Sequence, residues 1–260
     1  MDFGLNKRQK IIIASVILTF GLVSTQLVDF NLRFKFLTGL TILAYFISLW
    51  ALWEGINFLK AAVLLILPTL FVLGLASFYF LLPVRWLTRL PVALIFGLSF
   101  YSLLLSQNVF NVASIRTIPL YRAASTAAFL FTLITAFFLF NVIHAFNLLF
   151  IWNGLLVFSL GFLLVMQILW SIDMKDRLDI AVIVQSMILS LSLTELSIAL
   201  SFWPMVTTMW SLTLASVMYV LIGLSSQILR DRVNRRAAVE YLSIGAVIFI
   251  VAFLTTSWSG

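Results

Sequence analysis

The chain has 260 residues, of which 63% are apolar and 10% charged, and its mean hydropathy is +1.16. That composition excludes a soluble globular domain and points to an all-α fold, a polytopic transmembrane helical bundle without a soluble domain, forming one membrane domain over residues 1–260. With no cysteine and one histidine, disulfides, thiolate chemistry and Cys/His metal centres are excluded, and the net charge of +7 is read as basic loops at a membrane rather than nucleic-acid binding.

Lys7, Arg8 and Lys10 precede the first apolar run as they would in a signal peptide, but no small-residue cleavage site follows, so that run is read as a retained span. Apolar runs of about 17 to 25 residues, each sufficient for a hydrocarbon layer of roughly 30 Å, then recur along the chain. The predicted spans are 11–28, 36–53, 61–82, 90–107, 124–143, 148–170, 179–203, 205–226 and 237–257. None alternates apolar and polar residues as a membrane strand would. Pro68 lies inside the third span and is expected to kink it. The connection 108–123 is expected to be a linker or a short interfacial helix. Nine spans are expected and eight are possible; the least secure boundaries are the turns His144 to Asn147 and Phe202-Trp203-Pro204, where a proline can start a helix because its missing N–H costs nothing in the first turn.

Orientation follows from the sixteen lysines and arginines. With the N-terminus inside, twelve fall on the cytoplasmic side and four, Arg33, Lys35, Arg85 and Arg89, fall outside. The N-terminus is therefore expected in the cytoplasm and the C-terminus on the outer face.

An ionisable group at bilayer depth is expensive and requires a partner or a purpose. Glu195, in the outer half of the seventh span, is the clearest instance. Gln185, Ser192 and Glu195 share one helix face, and Ser186, Ser190 and Thr194 form an adjoining stripe. The topology brings Asn141, His144, Asn147 and Asn153 to the same level, so Glu195, His144, Gln185, Ser192, Asn141 and Asn153 form the candidate binding cluster. The competing reading is interhelical hydrogen bonding of Glu195 through Thr207, Thr208 or Ser211. Arg230, Arg232, Arg235 and Arg236 are candidates for contact with anionic lipid headgroups.

No catalytic constellation, metal site or cofactor is expected. Asp173 and Asp176 read as a solvated turn beside Lys175 and Arg177, and no phosphate-binding loop occurs. Expected partners are the lipid bilayer and another membrane protein subunit. The expected role is that of a structural, assembly or interaction subunit; the alternative is a small secondary transporter or channel-like protein using the Glu195 cluster.

Overall fold

The computed structural model describes residues 6–27, 30–54, 56–82, 86–113, 120–174, 178–229 and 234–256. They form ten helices: α1 Lys7–Thr25, α2 Phe30–Leu52, α3 Phe58–Leu64, α4 Ile66–Tyr79, α5 Trp86–Ala113, α6 Tyr121–Ala145, α7 Phe150–Asp173, α8 Ile180–Leu200, α9 Thr207–Leu229 and α10 Arg235–Thr255. No strand occurs among the described residues. Helices α3 and α4 together make one apolar rod, Phe58–Tyr79, so nine stretches are long and apolar enough to cross a membrane, in the predicted order.

The break between α3 and α4 falls at Leu65 and has a local cause. Pro68 has no N–H to give the carbonyl four residues back, and its ring crowds that carbonyl. The ladder resumes immediately, with the Leu65 N–H donating to the Ala61 carbonyl (3.1 Å) and the Thr69 N–H to the Leu65 carbonyl (3.2 Å). The proline is thus accompanied by a break in the helix, three residues before it, at Leu65.

Helix ends differ from the apolar limits by up to six residues, because a hydrogen-bond ladder does not stop where hydropathy falls. Helix α5 runs to Ala113, so 108–113 of the expected linker are helical, while 114–119 lie outside the described residues. Pro204 does not begin α9, which starts at Thr207. It sits three residues earlier, at the centre of a tight turn in which the Met205 N–H donates to the Trp203 carbonyl at 2.7 Å. Helix α6 ends at Ala145, and Asn147 adopts the left-handed conformation, φ 50°, that a reversal after a helix favours. Asp179 caps α8, accepting the Ala181 N–H at 3.2 Å.

The chain divides into two compact units, Met1–Phe131 and Thr132–Gly260. In the first, α1 packs along α2 and α5, and α2 along α4. Helix α1 contributes Ile11, Ala14, Leu18 and Leu22, a stripe at 3-4-4 spacing. Helix α4 is buried on most sides, and its Phe71 stacks on Phe96 and Phe100 and meets Phe131 edge-on, at centroid distances of 6.0, 6.5 and 5.8 Å.

In the second unit α7 packs along α8, and α9 touches α7, α8 and α10. Helix α7 carries glycine where α8 approaches: Gly154 faces Thr194 and Ile198, and Gly161 faces Ser190 and Leu193. Small residues of this kind allow close approach where apolar burial alone supplies no drive. Helix α10 is held lightly. It buries the apolar side chain of Ala252, and Tyr241 lies against Gly223 of α9 in the space a Cβ would take. Around both units the outward faces remain apolar, with Phe20, Phe46, Leu98, Leu155, Ile188 and Leu254 all exposed.

Candidate functional site

The two polar stripes of α8 face opposite ways. Val182, Ser186, Leu189, Ser190, Leu193, Ser197 and Leu200 are buried, whereas Val184, Met187, Ile188, Leu191, Ser192 and Glu195 are exposed. Gln185 is half-buried. The serines pack inward because they are small, and two of them satisfy themselves: the Ser186 hydroxyl donates to the Val182 carbonyl of its own helix at 2.7 Å and Ser197 to the Thr194 carbonyl at 2.9 Å, while the Ser190 hydroxyl has no partner among the described residues. A carboxylate has no such recourse, since it offers no donor for a carbonyl. No described side chain hydrogen-bonds or ion-pairs with Glu195.

The other members of the expected cluster are engaged elsewhere. The Asn141 amide donates to the Ser211 hydroxyl (3.2 Å), joining α6 to α9. His144 Nδ1 lies 3.2 Å from the Thr207 hydroxyl, and its ring lies 4.7 Å from that of Trp210. The Asn153 amide donates to the Leu148 carbonyl at 3.4 Å, within the turn that opens α7. The expected contact of His144 with Glu195 is thus not formed: Thr207, assigned above as a neighbour of Glu195, bonds the histidine instead. Arg235 and Arg236 are exposed at the start of α10, with the Arg236 N–H donating to the Asn234 side chain (3.0 Å); Arg230 and Arg232 lie outside the described residues.

A second polar cluster, which sequence reasoning missed, closes one end of the first unit. Helix α2 ends at Leu52, leaving carbonyls without intrahelical donors. The Asn111 amide of α5 donates to the Leu52 (3.3 Å) and Glu54 (2.9 Å) carbonyls, and Lys7 of α1 donates to the Glu54 carbonyl (3.3 Å). Lys10 pairs with the Glu54 carboxylate at 3.0 Å. Cations and amide donors at a helix C-terminus satisfy both the carbonyls and the helix dipole. The available signal was Glu54 itself, the sole acidic residue between Asp29 and Asp173, set against a lysine-rich start. At the other ends of the same helices, Gln26 donates to the Tyr79 carbonyl (3.0 Å) and accepts from Arg89 Nε (3.1 Å).

Residues 53–255 match the family described as "Protein of unknown function (DUF5656)". The chain belongs to that family. No curated protein and no solved structure matches it. The DUF5656 segment takes in α3 to α10, and with them Asn111, Asn141, His144 and Glu195, while Lys7 and Lys10 lie before it. Replacing Asn111 by leucine is expected to destabilise the first unit by about 1–3 kcal/mol, because the Leu52 carbonyl loses its side-chain donor in a buried setting. Equilibrium unfolding in detergent checks this; a loss confined to a few tenths would show that the cluster is ornamental to stability.

Proposed function

We propose that this protein is a multi-pass integral membrane protein, N-terminus cytoplasmic and C-terminus on the outer face, that works as a structural or assembly subunit by docking against another membrane protein. The observation that carries the reading is the outward position of Glu195 among Ile188, Leu191 and Ser192. A lipid-facing carboxylate costs about 2.5–3.5 kcal/mol at the centre of a span and less toward its end, where Glu195 stands, and a docked partner relieves that cost. Pairwise engagement of Asn141 with Ser211 and of His144 with Thr207 supports this reading over a solute site, which needs uncommitted polar groups.

Wild-type protein is expected to stay in membranes washed at alkaline pH, and a reporter fused after Gly260 to be active on the outer face. In mild detergent it should run larger than one 29.4 kDa chain. The Glu195→Leu variant, whose helix is only more apolar, should insert equally well and run as a single chain. A wild type that runs as a single chain and is stabilised by an added solute would fit the transporter alternative.

A further inference from the structure

Three exposed charged side chains stand as the sixth residue from a helix end, inside the apolar stretches: Lys35 near the start of α2, Glu240 near the start of α10 and Glu195 near the end of α8. The Cα–Cβ bonds of a helix tilt toward its N-terminus. Lys35 and Glu240 therefore lean toward the nearer end, whereas Glu195 leans back toward the middle of its span. Of the three, Glu195 is the one whose charge the helix itself cannot bring to water.

We propose that Glu195 receives Lys35 from a second copy of this chain, whose α2 packs antiparallel along α8. The proposal rests on the membrane reading above and names the partner. Lys35 lies about 8 Å inside the start of α2 and Glu195 about 8 Å inside the end of α8, five residues at 1.5 Å each, and the proposed topology puts both of those ends on the outer side. Among the described residues neither has a hydrogen bond or ion pair. In the proposed topology α2 and α8, the second and seventh apolar stretches, cross the layer in opposite directions.

The two exposed stripes also agree in register. Lys35, Gly39, Ile42 and Phe46 follow one another at 4-3-4 spacing, as do Glu195, Leu191, Ile188 and Val184 read backwards. With Lys35 opposite Glu195, Leu191 falls opposite Gly39. A Cβ built at Gly39 meets nothing within 4 Å, so no packing inside its own chain requires a glycine there. Mid-helix glycine costs about 1 kcal/mol relative to alanine, and a notch for Leu191 of an incoming α8 supplies the missing reason. A symmetric pairing of α8 with α8 would instead set two carboxylates against each other. The contact is heterologous, α2 of one copy on α8 of the next, which builds a ring or a row.

The chain has no cysteine, so single cysteines can be placed without background. Differently tagged Lys35→Cys and Glu195→Cys copies, co-expressed and treated in membranes with a short bifunctional thiol reagent, are expected to give a mixed dimer, and neither alone a dimer. Self-linking of Glu195→Cys, or no mixed dimer while the protein stays in alkali-washed membranes, overturns the proposal. Release of the protein by that wash overturns the membrane reading and the proposal with it. Glu195→Lys should weaken self-association at least about tenfold, and adding Lys35→Glu should restore it. A double variant that remains as weak as Glu195→Lys also overturns the pairing.

Discussion

Trp210→Ala is expected to lower the stability of the second unit by about 3–5 kcal/mol, the range for emptying a large buried aromatic site. Trp210 is fully buried on the first turn of α9, and its ring is one wall of the His144 position. Among the described residues the indole N–H has no hydrogen-bond partner. Nearly all of what the side chain contributes is therefore volume and ring contact, which separates two substitutions. Trp210→Phe keeps a ring against His144 and removes a buried unsatisfied donor, so it should cost much less than alanine. Thermal or denaturant unfolding in detergent checks both; equal losses would mean that the indole N–H matters and that ring contact is not the main term.

Phe71→Ala is expected to have an effect of the same size, about 3–5 kcal/mol, on the first unit. Phe71 is 1% exposed and touches three rings supplied by α5 and α6, so truncation opens a cavity and also removes aromatic pairs worth roughly 0.5–1.5 kcal/mol each. Phe71→Leu, which refills most of the space, should recover a large part of the loss. If alanine and leucine are equally damaging, ring geometry rather than volume holds α4 in place. A loss below about 1 kcal/mol for alanine would show that the site collapses without cost.

The number and order of the long apolar helices were legible because length and apolarity are summed over some twenty residues, and a single exception such as Glu195 does not disturb the sum. Edges were less legible. Trp86 to Arg89 and Asn108 to Ala113 belong to α5 although they are not continuously apolar, since backbone hydrogen bonds continue past the last apolar residue. The direction of each helix face was not legible at all. On α8 the polarity of Ser186, Ser190 and Ser192 carries no sign, because each hydroxyl can bond its own helix and so needs neither water nor a partner. What decides is size: Ser190 fits at Gly161, seven residues along α7 from the Gly154 that receives Ile198, and burying that side turns Glu195 outward. The Glu54 cluster was hidden for another reason. Lys7, Lys10, Glu54 and Asn111 come from three helices and meet only through tertiary packing, at separations of 44 to 59 residues.

Those separations also set a timetable. Lys7 and Lys10 precede Glu54 in the chain, so they are available to the end of α2 as soon as it is synthesised. Asn111 follows Glu54 by 57 residues, an interval of about 3–11 s at 5–20 residues per second. Of the two described side chains that donate to the Glu54 carbonyl, Lys7 is thus made before that carbonyl and Asn111 after it, so the end of α2 can be met by a cation before the amide of α5 exists.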